Sequence, residues 1–102
     1  MIEIEADVEA AELATLRAAW LADQDQANNL EASVCKSKAG DVCRSGLQRC
    51  LELLGAMSVN HDYLVEMFMR DGRISDIYEG TGQIQRLIIA RQILGYSSSE
   101  LQ

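Results

Sequence analysis

With 102 residues, 48% of them hydrophobic, the chain has enough apolar material for one core but too little length for a nucleotide-binding domain together with a substrate domain. Its formal net charge of −7 arises within residues 1–31, where eight acids face one base, Arg17, whereas residues 32–102 balance eight acids with eight bases. So acidic a chain repels a phosphate backbone, which disfavours a nucleic-acid partner. The opening MIEIEADVEAAE lacks a positively charged leader and a continuous apolar run, so no secretory signal is expected. No segment reaches the apolar length of a membrane span, and the expected setting is the cytoplasm.

A helical rhythm runs through almost the whole sequence, which contains no proline. A first helix is expected from about Ile4 to Asp23. Its Ile4, Val8, Ala11, Thr15 and Ala18 line one side, and Leu13, Leu16 and Trp20 line roughly the opposite one. One bundle core cannot bury both stripes, so the Trp20 side is a candidate contact for a second copy or another domain. The acids of this segment are read as a solvated face favoured by the positive end of the helix dipole.

Asn28 and Asn29 are candidate caps for a second helix, from about Leu30 to Leu54, which Gly55 ends. It carries all three cysteines, Cys35, Cys43 and Cys50, within about 80° of one another at 100° per residue. An odd count without a C-x-x-C pair argues against a disulfide framework and a zinc site, and these are expected to be core cysteines. No metal site is expected anywhere in the chain.

A shorter third helix is expected after Asn60, with Tyr63, Leu64, Met67 and Phe68, stopping near Asp71 and Gly72. His61, the single histidine, follows a cap and is expected to be exposed and without a catalytic role. A turn through residues 73–78 leads to a fourth helix, from about Thr81 to Leu94, and a polar tail over residues 95–102 is expected to fray. The fold class is therefore all-α, an up-down four-helix bundle occupying residues 1–102 as one domain. The Gly80-Thr81-Gly82 fragment is no phosphate loop, since it lacks a preceding strand and a following lysine.

The stretch DYLVEMFMRDGRISDIYEGTGQIQRLIIARQIL, residues 62–94, resembles the C-terminal signature of the acyl-CoA dehydrogenases: V-E then R-D, an I-Y-E-G-T turn, and Q-I-Q-R followed by I-A-R. AAELATLRAAWL, residues 10–21, and ASVCK, residues 32–36, look like the first two helices of that family's C-terminal domain. The resemblance covers nearly the whole chain, and the family's N-terminal helical and middle β domains have no counterpart in it. It implies a domain or small subunit of a flavin enzyme that converts an acyl-CoA thioester to the enoyl-CoA, and Glu79 of I-Y-E-G-T takes the position of the base. It further implies Thr81, Gln83 and Gly55 as FAD contacts, and Glu79 and Gly80 as substrate contacts. FAD would not be held tightly by this chain alone.

The implied partners are the remaining dehydrogenase domains or subunits, the acyl-CoA substrate and further copies in an oligomer. A non-catalytic helical interaction module from the same family is the alternative. Two departures bear on the second helix end, where the family reads Q-x-x-G-G and approaches the adenine–pyrophosphate part of a flavin across the dimer: Glu52 brings a negative charge there, and Ala56 adds a methyl. Leu64 stands where proline is usual, and Gly82 where asparagine or serine is usual.

Overall fold

A computed structural model describes residues 1–97 and 100. Four α-helices follow one another: α1 (Ile2–Asp23), α2 (Asn29–Leu54), α3 (Val65–Gly72) and α4 (Gly82–Leu94). Short 3₁₀ segments over Gly55–Val59, His61–Tyr63 and Arg73–Asp76 join the last three. The all-α reading and three of the four helix positions agree with the periodicity, whereas the third helix starts later than expected. Leu64 adopts φ 40, a left-handed conformation that no α-helix can pass through, so His61–Tyr63 forms a separate turn and helical geometry resumes only at Val65. A proline could not take this φ.

The long α2 is the axis on which everything else packs. α1 runs antiparallel to it, held at one end by Lys38 Nζ donating to Asp7 Oδ1 at 2.6 Å and by Arg49 near Glu3 at 3.4 Å, and at the other by Arg17 near Glu31 at 3.4 Å. Asn28 ties the intervening loop back through its side-chain amide, which donates to the Ala18 carbonyl at 2.9 Å. Part of the acidic excess is thus engaged across the α1–α2 seam rather than merely solvated. Lys38, through that hydrogen bond first, holds the Asp7 carboxyl below its ordinary range.

α3 lies against the C-terminal half of α2, where Gly72 meets Leu47, and α4 against the N-terminal half, where Asp41 meets Arg86. The four helices therefore form three adjoining rows, with α1 and α4 both on α2 and at most marginally on each other. Small residues of α2, namely Ser33, Ser37, Gly40 and Gly46, are buried at the close approaches. The Cα radius of gyration is 16.3 Å, against about 13 Å for a compact domain of this length, and the thinnest dimension is 20 Å. Such a shape has almost no interior.

Among the described residues only Ala11 and Ala18 are both apolar and buried. Cys35, Cys43 and Cys50 are free and half-buried, which corrects the expectation of core cysteines. Cys43 and Cys50 edge the α1–α2 groove beside Ile4 and Val8, where no further layer of this chain covers them. The second stripe of α1 faces outward as its spacing predicts, with Trp20 58% exposed. No helix among the described residues is long and apolar enough to cross a membrane, and none holds a metal-type cluster.

Candidate active-site turn

The turn before α4 is set by three successive residues. Glu79 has φ 54 and Gly80 φ 102, so the chain reverses through left-handed geometry and then enters α4 from an extended Thr81, φ −60 and ψ 156. Holding a glutamate at such a φ costs roughly 1–2 kcal/mol, a strain that survives only where neighbours fix it. Gly80 is favoured by its φ, and a Cβ there would also lie 2.5 Å from Gln85 Nε2, which would have to move. That amide donates to the Glu79 carbonyl at 3.4 Å, and the Ile84 N–H donates to Thr81 Oγ1 at 3.3 Å. Thr81 is thus the N-cap of α4.

The exposed Glu79 side chain borders an open groove of about 440 Å³ between α2 and α4, lined also by Asn29, Ser33, Lys36, Gln85 and Ile88. A carboxylate acceptor and a lysine ammonium therefore share one concave surface with an apolar wall. Gln83 is exposed on the first turn of α4 and Thr81 is half-buried beside it.

Gly55 sits elsewhere. It ends α2 at φ 55 with open space around its Cα, and at 1.5 Å per residue it lies about 28 Å along the helix from Lys36. The structure gathers Glu79, Gly80, Thr81 and Gln83 at one end of α2 and leaves Gly55 at the other. Glu52 is exposed near that far end, accepting from Gln48 Nε2 at 3.2 Å; with Arg49 it borders a separate concavity between the start of α1 and the end of α2, where Arg49 is engaged with Glu3 and Asp7.

Behind the turn lie groups that local sequence does not announce. Lys36 Nζ donates to the Ser75 carbonyl and sits 4.3 Å from the centroid of the Tyr78 ring. Asp76 places Oδ1 between two glycines: a Cβ on Gly40 would lie 2.8 Å from it, and one on Gly82 only 2.4 Å. The carboxylate of Asp76 thus fills the room that a larger residue at position 82 would need, which explains the glycine there. Asp76 Oδ1 is buried and has no hydrogen-bond partner among the described residues. Its charge acts on Arg86, which is held more firmly protonated chiefly by its 2.6 Å hydrogen bond to Asp41. Asp41 is lowered in turn by its hydrogen bond to Arg86 first; burial opposes this as the next-largest effect, and Arg44 adds to the lowering.

The order of these features along the chain matches a known domain. A family described as "Acyl-CoA dehydrogenase, C-terminal domain" matches residues 1–94. The chain belongs to this family. It is 40% identical over 87 residues to cyclohexane-1-carbonyl-CoA dehydrogenase of Geobacter metallireducens, covering 85% of this chain and 23% of that protein. With the short-chain specific acyl-CoA dehydrogenase, mitochondrial, of Rattus norvegicus it shares 37% over 87 residues, 85% of this chain and 21% of the relative. The chain therefore spans less than a quarter of the length of these acyl-CoA dehydrogenases. A solved structure described as the electron transferring flavoprotein of Acidaminococcus fermentans superposes with a TM-score of 0.88 at 30% identity, over 92% of this chain and 25% of the other. As in the relatives' matched portion, what is present is the C-terminal helical domain of an acyl-CoA dehydrogenase-type protein.

Proposed function

We propose that this domain supplies Glu79 as the base of a flavin-dependent acyl-CoA dehydrogenase whose remaining domains or subunits hold most of the substrate and cofactor. The observation that carries this reading is the strained turn itself: an exposed glutamate at φ 54, bordering a groove, inside the I-Y-E-G-T of a family member. A glutamate needed only to complement the helix dipole has no reason to accept left-handed geometry.

The α proton of a thioester is weakly acidic, so its acceptor has to be placed against it and shielded from water. In the proposed step the Glu79 carboxylate takes that proton as the α C–H bond breaks, and the neutral acid later returns it to solvent. The Glu79 N–H donates to the thioester oxygen as negative charge develops there. FAD, when bound, would supply the hydride acceptor for the β carbon that α,β-dehydrogenation to the enoyl-CoA needs. Thr81 and Gln83, at the positive end of the 13-residue α4, suit contact with an electron-rich polar group, so this end of the domain fits a flavin edge. Gly55 lies too far along α2 to join them from the same copy, and its flavin contact is proposed to be with a neighbouring copy.

Assembly is part of the proposal. The Leu13, Leu16 and Trp20 face, each residue more than half exposed, is proposed to be covered by another copy or another domain, while three free cysteines suit the reducing cytoplasm. The same exposed surface supports the second reading, a helical interaction module without catalysis.

Glu79→Gln in the complete flavin-containing assembly separates the two. Loss of a positioned base is worth about 10²- to 10⁴-fold, so flavin bleaching by acyl-CoA should fall by that factor with assembly intact. Glu66→Gln is the control, because Glu66 is held by Arg70 at 2.9 Å and 3.1 Å away from the turn. Asp76 is unsuitable as a control, being wedged between α2 and α4. Bleaching at the unmodified rate in Glu79→Gln establishes the interaction module instead.

A further inference from the structure

Glu79 leaves the Arg73–Asp76 turn along a path that Lys36 controls from α2. The lysine lies one helical turn before Gly40, the residue against which Asp76 is wedged, so α2 grips the segment twice. The Lys36 ammonium donates to the Ser75 carbonyl, three peptide units before the Glu79 nitrogen, and faces the Tyr78 ring at 4.3 Å. A ring and a carbonyl on either side of one cation fix both the position and the roll of the chain just before the strained residue. Lys36 also borders the groove that Glu79 lines.

We propose that Lys36 is a positioning residue for Glu79: by clamping the Ser75 carbonyl and the Tyr78 ring to α2, it holds the following residue in left-handed geometry with its carboxylate on the groove. The proposal deepens the catalytic reading of Glu79 and rests on it. Any cation that reaches both groups can serve, which makes arginine the conservative replacement, since its planar guanidinium stacks on aromatic rings. Methionine keeps the apolar stem and loses the charge and the donor.

Two measurements test it together. The first is amide hydrogen exchange on the chain as it stands. The Ile77 and Tyr78 N–H groups donate to the Ile74 carbonyl at 2.9 Å and 3.2 Å, so their protection reports whether the turn is closed. Lys36→Met should speed exchange at these two amides about tenfold while leaving α1 unchanged, and Lys36→Arg should restore most of the protection. The second is flavin bleaching in the complete assembly. Lys36→Met should lower the limiting rate about tenfold with little change in the substrate concentration for half-saturation, again with recovery in Lys36→Arg.

Unchanged exchange in Lys36→Met overturns the proposal whatever Glu79 does. So does accelerated exchange with an unchanged bleaching rate, if Glu79→Gln still abolishes bleaching. If Glu79→Gln is itself without effect, the catalytic reading fails and the positioning role with it, a result separable from the others because it needs no Lys36 variant. Should Lys36→Met lose its helical circular dichroism, Tyr78→Leu removes the ring partner from the turn side and carries the same expectations at smaller size.

Discussion

The seam between α2 and the turn leading into α4 is held by this chain's own groups, although Asp76 Oδ1 lacks a hydrogen-bond partner among the described residues, whereas the outer face of α1 is left open. At the seam, Lys36 meets Ser75 and Tyr78, Asp41 meets Arg86, and Asp76 is fitted between Gly40 and Gly82. On α1, Leu13, Leu16 and Trp20 stand 58%, 57% and 58% exposed at helical spacing, uncovered by the described residues. The contrast teaches where the domain carries its own precision. The region around Glu79 is set by contacts within the chain, while the apolar stripe on α1 is exposed.

The largest effect should come from the open side. Trp20→Glu puts a charge in the middle of the exposed stripe. Central aromatic residues of an interface contribute about 2 kcal/mol or more, so association should weaken roughly 30-fold, read by sedimentation across a concentration series. A strictly monomeric unmodified chain that also fails to bind its complementing domains through this face would break the comparison.

The held side should respond to volume. Gly82→Ala places a methyl about 2.4 Å from Asp76 Oδ1, and Gly40, whose own Cβ would lie 2.8 Å from the same oxygen, stands close on its other side. Overpacking of this kind costs about 1–3 kcal/mol, which outweighs the ~1 kcal/mol that alanine gains over glycine in a helix, so the melting temperature should drop. In an Asp76→Ala background the clash disappears and the sign should reverse, with Gly82→Ala now stabilising. A double-mutant cycle of thermal melts reads this directly; additive effects would mean that Asp76 does not occupy the space.

Smallest is the acid response. Asp41 and Asp7 are both lowered in the folded chain, by Arg86 and Lys38 respectively. Their stabilisation is present above the unfolded carboxylate value, near pH 4, and is lost as pH falls through the lower folded values. Asp41 is partly exposed, so after screening its share is below about 1 kcal/mol. Melting temperatures at pH 7 and pH 3 should converge slightly in Asp41→Asn. Sedimentation of the α1 face should show no such step, since Leu13, Leu16 and Trp20 carry no titrating group.

Much of the fold was legible. Asn28 stands at the real start of α2, though without a side-chain cap hydrogen bond, and Gly55 at its real end; α4 runs to Leu94 as expected, with Thr81 accepting from Ile84 at its start, and Gly95 at φ 71 lets the Tyr96 N–H close on the Arg91 carbonyl. Of the expected fraying tail, Ser97 and Glu100 are joined by a 2.7 Å hydrogen bond, and residues 98, 99, 101 and 102 lie outside the described residues. The late start of α3 was not legible, because nothing in the leucine at position 64 predicts left-handed geometry. Glu79, Thr81 and Gln83 fall together because they are neighbours in sequence. Gly55 was named with them, yet stands at the opposite end of α2, since a straight helix separates in space what a family pattern groups by role.

The sequence by itself determined the positions of α1, α2 and α4, the second stripe on α1 and the family, because each is written in local spacing or in ordered short motifs. Only the tertiary structure decided which charges meet across α2, that Asp76 takes the room above Gly82, and that Lys36 grips the turn before Glu79. The grip of Lys36 on Ser75, the Asp41–Arg86 pair and the seat of Asp76 on Gly40 join residues about 35 to 45 positions apart, and their geometry depends on how far α3 and the Arg73–Asp76 turn carry the chain back along α2, a distance that no local pattern encodes.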